Sequence, residues 1–205
     1  MTGNMTRRGF VALATGAVAA IALGGCSSSD PTPANEEPRQ PVSTQQTANN
    51  EGNHTMIFIN PSQNPNGNTA QMGRTLLDGM DYDTINLIDY KIYPLGSTFP
   101  DDQFEEVWQK MCDADIIVWG TPIYWHAMAG PLKVLIDRMY DYQDGQLEGK
   151  SLAFFQQGGA PRQESLEMND YIIGRVASLY GMSLLGTSDS AEGIPSLREA
   201  IQATL

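Results

Sequence analysis

The residues of this chain that can do chemistry gather in two polar or aromatic loops and one glycine pair. The first loop reads Asn60-Pro61-Ser62-Gln63-Asn64-Pro65-Asn66-Gly67-Asn68-Thr69. It lies between a short apolar run and an amphipathic stretch. A loop so placed offers backbone N–H groups and the positive end of a helix to an anion. Ser62 and Thr69 add hydroxyls, and Gln63, Asn64 and Asn68 add amides, so hydrogen bonds are donated without positive charge. There is no lysine to neutralise a triphosphate, and the spacing is neither G-x-x-x-x-G-K-[ST] nor G-x-G-x-x-G. Such donors suit a single terminal phosphate. The alternative is a plain polar turn in which Thr69 caps the helix.

The second loop runs Gly120-Thr121-Pro122-Ile123-Tyr124-Trp125-His126-Ala127-Met128, followed by Gly130-Pro131-Leu132-Lys133 and Asp137-Arg138. Tyr124 and Trp125 offer a flat apolar surface to a planar ring, or else they simply cover the end of a sheet. Pro122 stiffens the turn, and Gly130 permits close approach of backbone to a ligand. His126 is read as a solvated loop histidine. The third segment is Gln156-Gln157-Gly158-Gly159-Ala160-Pro161-Arg162-Gln163. Its Arg162 is the one basic residue near the expected cleft. We assign no protein nucleophile, general base or metal ligand.

These loops need a frame to bring them together. Met56–Ile59, Thr84–Ile88, Asp115–Gly120, Ser151–Phe155 and Ser183–Thr187 read as five short strands. Between them, apolar residues recur at helical spacing: Gly73, Leu76, Leu77, Met80; Phe104, Val107, Trp108, Met111; Leu132, Leu135, Ile136, Met139; and Ile172, Val176, Leu179, Tyr180. A short closing helix is expected over residues 196–205. Strands alternating with helices predict a parallel sheet covered on both faces. About 150 residues are too few for a six-stranded dinucleotide fold, so the five-stranded flavodoxin-like order is expected. The predicted class is α/β, a flavodoxin-like three-layer sandwich with a five-stranded parallel sheet. In such sheets ligands bind beyond the carboxyl ends of the strands, where the loops after strands one, three and four converge.

The stretch from Ala114 to Trp125, with Gly130-Pro131-Leu132-Lys133 and Asp137-Arg138, resembles the signature of the NAD(P)H-dependent FMN reductase family. The first loop matches that family as well, through Ser62 and Asn66-Gly67-Asn68-Thr69. The resemblance covers residues 55–205 and implies an FMN cofactor. It implies that Ser62, Gln63, Asn68 and Thr69 hold the phosphate, with Asn64 beside them. Pro122, Ile123, Tyr124 and Trp125 would meet the isoalloxazine ring, with Thr121 opening that loop, and Gln157, Gly158 and Gly159 would give contacts from the third loop. Asn60-Pro61 stands where the family usually has a glycine, and the phosphate loop lacks the family's frequent basic residue. The implied activity is electron transfer from NAD(P)H or a redox partner protein to a small acceptor such as a quinone or flavin. A homo-oligomer is also implied. The alternative is a non-enzymatic, flavodoxin-type electron carrier.

Composition narrows the remaining possibilities. With 24 acidic against 12 basic residues the formal charge is −12, which disfavours binding to nucleic-acid phosphates. Cys26 and Cys112 are the only cysteines, too few for a disulfide scaffold, a four-cysteine zinc site or a cysteine-ligated iron–sulfur cluster. Cys112, within an amphipathic stretch, is expected to act as a small core hydrophobe.

The amino-terminal quarter is of another kind. Arg7-Arg8-Gly9-Phe10 resembles a twin-arginine export signal. A chargeless run from Phe10 to Gly25 follows, shorter than the ~20 residues that span a bilayer. It ends in Leu23-Gly24-Gly25-Cys26, which resembles a lipoprotein box with Cys26 as the acylated residue. Residues 27–53 hold four prolines and no Leu, Ile, Met or aromatic residue, so they are expected to form a disordered spacer. The expected organisation is therefore 1–26 export signal, 27–53 spacer and 54–205 FMN-binding domain. The protein would be anchored to the outer face of the cell membrane. Replacement Cys26→Ser should release the protein from membranes and remove the lipid mass from its amino terminus. Continued membrane association of the variant would refute the anchor.

Overall fold

The computed structural model describes residues 54–205; the expected export signal, Cys26 and the expected spacer lie outside the described residues. Six strands are present: β1 (Met56–Asn60), β2 (Asp83–Asn86), β3 (Ile116–Tyr124), β4 (Ala127–Met128), β5 (Ser151–Gln157) and β6 (Ser183–Ser188). The helices are α1 (Asn68–Leu76), α2 (Phe104–Asp113), α3 (Gly130–Arg138), α4 (Gln163–Leu179) and α5 (Ile194–Gln202). Five strands pair in parallel in the order β2-β1-β3-β5-β6, the flavodoxin-like order, in which the strand sequence reverses at β1 and β3.

The sheet forms because its central strands are apolar on both faces. Alternate side chains of β1, β3 and β5 feed two separate cores. Ile57, Ile59, Ile117, Trp119, Leu152 and Phe154 pack beneath α2, α3 and α4. Met56, Phe58, Ile116, Val118, Ala153 and Phe155 pack beneath α1 and α5. The expected stripes of α1, α2 and α3 face these cores, and Phe104, Val107, Trp108 and Met111 are fully buried.

The second core depends on two close approaches. Phe58 and Phe155 stack with ring centroids 5.7 Å apart. A Cβ at Gly120 would lie 2.1 Å from the Phe155 ring, and one at Gly73 would lie 2.5 Å from Phe58. Gly120 is also the residue paired with Phe155 across the sheet. The aromatic pair thus occupies space that any larger residue at those positions would claim.

Several expectations needed correction. The third strand continues to Tyr124 rather than ending at Gly120, and it turns back as the short antiparallel β4, a sixth strand added to the five parallel ones expected. Ile88 lies beyond β2 in a 3-10 turn (Leu87–Asp89) and is exposed. The α1 helix stops at Leu76, so Met80 falls outside it, and the closing helix starts at Ile194 and ends at Gln202. On α4 the buried residues are Leu166, Asn169, Ile173 and Ala177; of the expected stripe Tyr180 is buried and Ile172 and Val176 pack against the core half-buried, whereas Leu179 is exposed. An asparagine in the core stripe had obscured the period. Cys112 is half-buried against the larger core, with its thiol donating to Gln146 Oε1 at 3.0 Å. Burial pushes that thiol up to about 11, so it stays protonated and unreactive at neutral pH.

The glycine–aromatic contact gives a direct test of this packing. Gly120→Ala should cost about 2 kcal/mol through overpacking and lower the thermal midpoint by roughly 4–8 °C. An unchanged midpoint would show that the Phe155 ring moves aside freely.

Candidate functional site

The strand order sets β1, β3 and β5 side by side, so the three chemistry-bearing segments leave the sheet at one edge. After β1, the backbone is folded by its own side chains. Asn60 Oδ1 accepts from the Ser62 N–H at 3.2 Å, Ser62 Oγ accepts from the Asn64 N–H at 3.2 Å, and Asn64 Oδ1 accepts from the Asn66 N–H at 3.0 Å. Asn60 Nδ2 donates to Asn86 Oδ1 at 3.0 Å, joining the ends of β1 and β2. Such Asx-type turns hold a loop without regular secondary structure.

The helix that follows has Gly67 at its N-cap and no side-chain cap. Thr69 lies inside the first turn and does not cap the helix, so the capping role of the alternative reading is not seen. The first N–H groups of α1 lack intrahelical acceptors, as at any helix start. Two buried hydroxyls stand beside them, Ser62 and Thr69. Each already accepts a hydrogen bond, Ser62 from the Asn64 N–H and Thr69 from Gln157 Nε2 at 3.0 Å. Each hydroxyl keeps its proton to donate, which an anion rich in acceptor oxygens complements. Gln63, Asn64 and Asn68 are exposed around them.

The bond from Gln157 to Thr69 crosses 88 residues and ties the end of β5 to the first turn of α1. Gln157 pairs in the sheet with Pro122 of β3. Next along the chain, Gly158 and Gly159 are exposed, and a Cβ at Gly158 would lie 3.1 Å from Ile123 Cβ. All three segments thus meet within one small region.

The β3–β4 hairpin turns through Trp125 and His126, at φ 50° and 63°. Positive φ at both central residues is the type I′ pattern, which favours Asn-Gly because side chains clash there. Trp125 is 98% exposed and Tyr124 41%. Two bulky residues held in the left-handed region, one almost wholly in solvent, give nothing to the core that would offset the strain. Thr121 and Pro122 lie buried within β3. Thr121 Oγ1 accepts from the Ala129 N–H at 3.0 Å and donates to Pro122 O, so its hydroxyl holds the hairpin rather than facing a ligand.

A buried polar cluster, missed in the sequence, also supports the hairpin. Asn169 Oδ1 accepts from the Met128 N–H at 3.4 Å, and Asn169 Nδ2 donates to Gln156 Oε1 at 2.9 Å. Gln156 Nε2 donates to Leu166 O and to Asp170 Oδ1, each at 3.1 Å. Burial, reinforced by the charge of Asp189, raises Asp170 above the usual carboxylate range despite its hydrogen bond with Thr187. The one legible signal for this cluster was a polar residue at a core position of α4. Arg162 is exposed at the N-cap of α4. His126 stands at the hairpin tip. Among the described residues no group of three His, Cys, Asp or Glu is placed to hold a metal ion.

Residues 55–173, more than half of the chain, match the family model of NADPH-dependent FMN reductases. A Bacillus subtilis protein named as an NAD(P)H-dependent FMN-containing oxidoreductase is 32% identical over 91 residues, covering 40% of this chain and 50% of that protein. An iron–sulfur flavoprotein of Methanocaldococcus jannaschii is 31% identical over 110 residues, 46% of this chain and 57% of that protein. The chain spans about half the length of these curated relatives. In structure it is similar to the apo form of an NADH:FMN oxidoreductase, with TM-score 0.56, 22% identity, 73% of this chain and 87% of that one covered.

If the hairpin is held against its conformational preference, Trp125→Asn with His126→Gly should relieve about 1–3 kcal/mol. Thermal melts of the double variant should then shift upward by several degrees. A fall in the midpoint would show that Trp125 or His126 stabilises the fold.

Proposed function

The chain belongs to the NADPH-dependent FMN reductase family, and on that premise we propose that it is an FMN-dependent NAD(P)H oxidoreductase. The observation that carries this reading is the start of α1, which no side chain caps, beside two buried hydroxyls that each accept one hydrogen bond from within the protein and keep a proton to donate. That donor set fits a phosphate monoester. The adjoining aromatic hairpin and glycine pair fit a planar ring.

Ser62, Thr69, Gln63, Asn64 and Asn68, with the first N–H groups of α1, hold the phosphate in this reading. The helix dipole supplies the attraction that a lysine would otherwise give. Ile123, Tyr124 and Trp125 provide the apolar surface for the ring, and Gly158 and Gly159 let backbone approach its polar edge. Gln157, Thr121 and Pro122 act as positioning residues, fixing the three loops relative to one another. FMN held there would supply the redox chemistry between NAD(P)H or a redox partner and a small acceptor such as a quinone or flavin. The protein's own part is to bind, orient and shield. With two cysteines in the whole chain, this reading includes no iron–sulfur cluster.

The reading extends to location and assembly. Leu23-Gly24-Gly25-Cys26 and the basic, apolar stretch before it support export and a lipid tether. Among the described residues no helix is long and apolar enough to cross a membrane. An exported reductase is placed to receive electrons from a membrane partner as well as from a nicotinamide. Exposed Met168, Tyr171 and Leu179 on α4 support a homo-oligomer.

Titration of FMN into the flavin-free protein tests the ring site. Tyr124→Ala with Trp125→Ala should weaken binding at least about tenfold, or ~1.4 kcal/mol, from lost stacking and buried area. Circular dichroism should be unchanged, since both side chains are exposed. A folded double variant that binds FMN as tightly as the parent would place the ring elsewhere. Turnover of NAD(P)H with a quinone separates a reductase from a carrier.

A further inference from the structure

The polar cluster behind the hairpin ends in a carboxyl, and its hydrogen bonds run in one sense. Asp170, half-buried on α4, accepts from Gln156 Nε2 at 3.1 Å. Gln156 Nε2 also donates to Leu166 O at 3.1 Å. Gln156 Oε1 takes a proton from Asn169 Nδ2 at 2.9 Å, which leaves Asn169 Oδ1 for the Met128 N–H at 3.4 Å. Gln156 and Asn169 are both buried, so their polar groups must find partners within the protein.

An amide side chain can present either its oxygen or its nitrogen, and the sense of this chain is set at one end. Two acceptors, Leu166 O and Asp170, hold Gln156 with its nitrogen toward α4. An ionised carboxylate can only accept, whereas a protonated one also donates. Protonation of Asp170 therefore removes one of the two groups that fix Gln156. If Gln156 turned, Asn169 would turn with it and set Nδ2 against the Met128 N–H, donor against donor. Short of a turn, the bond to Asp170 loses the charge that strengthens it.

The other end of the chain lies in the hairpin. Met128 pairs with Ile123 across β3 and β4, and a Cβ at Gly158 would lie 3.1 Å from Ile123 Cβ. Its bond to Asn169 is the longest of the series, and so the first to give. Between Ile123 and Met128 stand Trp125 and His126, both at positive φ. A turn held in that region needs its stem fixed.

The surroundings of Asp170 leave its charge poorly supported. Burial raises its carboxyl above the usual range, and the charge of Asp189 beyond β6 adds to the rise. The hydrogen bond from Thr187 of β6 acts the other way. From β5 it meets only the neutral Gln156. Protonation thus sets in at a higher pH than for an ordinary aspartate, near 3.9. We propose that Asp170 is a positioning residue for the flavin site: its ionised carboxylate, acting through Gln156 and Asn169, keeps the β3–β4 hairpin in place, and protonation weakens flavin binding. The consequence for flavin rests on the FMN reductase reading; the coupling of Asp170 to Met128 does not.

The test follows the Met128 backbone amide by NMR in the flavin-free full chain. Every protein carries His126→Gln, so the imidazole two residues away adds no titration. Between about pH 7.5 and about pH 5 the Met128 signal should move along a single titration curve. Thr187→Val removes a bond to the charged form and should raise its midpoint. Asp189→Asn removes the opposing charge and should lower it. Thr187 and Asp189 are exposed, so these replacements spare the fold. Asp170→Asn should abolish the movement. Over the same range the parent should lose at least about threefold more FMN affinity than folded Asp170→Asn, since the FMN phosphate ionises alike with both. A Met128 signal that stays still, or a midpoint indifferent to Thr187 and Asp189, overturns the proposal. Equal pH dependence of FMN binding in parent and variant overturns it too. If Met128 follows Asp170 but FMN binds at no pH, the cofactor reading fails and the coupling stands.

Discussion

Phe58 and Phe155 lie stacked over the sheet with Gly120 beneath Phe155 and Gly73 of α1 against Phe58. Neither ring has room to rotate into a larger neighbour, so the contact fixes two things together. It fixes the register of β3 on β5, because Gly120 must stand opposite Phe155. It also lets α1 lie close to the sheet, which sets where the first turn of that helix meets the ends of β1 and β5. The Gln157–Thr69 hydrogen bond spans these two elements. Shifting β3 by one residue would set Trp119 or Thr121, in place of a glycine, opposite Phe155. The candidate site is therefore a consequence of packing some distance beneath it.

Above that rigid floor the site is held by polar groups that are largely buried. Gln156 and Asn169 connect β5 and α4 to the backbone of β4, and Thr121 holds the entry to α3. A satisfied network of this sort gives unique geometry at a desolvation cost that its hydrogen bonds offset. The hairpin it supports carries Trp125 and His126 in the left-handed region. Backbone strain collects where a side chain must be presented in one place for a ligand. An exposed tryptophan on a strained turn, over a braced stem, fits that description.

Much of this was legible in the sequence. The runs Met56–Ile59 and Ile116–Trp119 read as strands because they are apolar without a helical period, and Phe104 to Met111 read as a helix because its stripe is regular. The loop after β1 was legible as a polar connection without charge between those elements. The hairpin was not, since Tyr124-Trp125-His126 lacks the Asn-Gly signal of a type I′ turn. The burial of Asn169 on α4 was not legible, since the core accepts this polar residue through its bonds with Gln156 and the Met128 N–H. The Arg138–Asp102 pair joins residues 36 apart and leaves no periodic trace. Tertiary contacts of that kind can be seen only once the strands are placed.

The central claim is that three loops at one sheet edge form a site for one FMN per chain. Its most direct test is the visible spectrum of the purified full-length protein after incubation with FMN and removal of excess, with mass analysis of the cofactor released on denaturation. The account predicts a bound-flavin spectrum at close to one equivalent, with FMN as the released species. A protein that stays colourless at saturating FMN, or that yields mainly FAD, would contradict it.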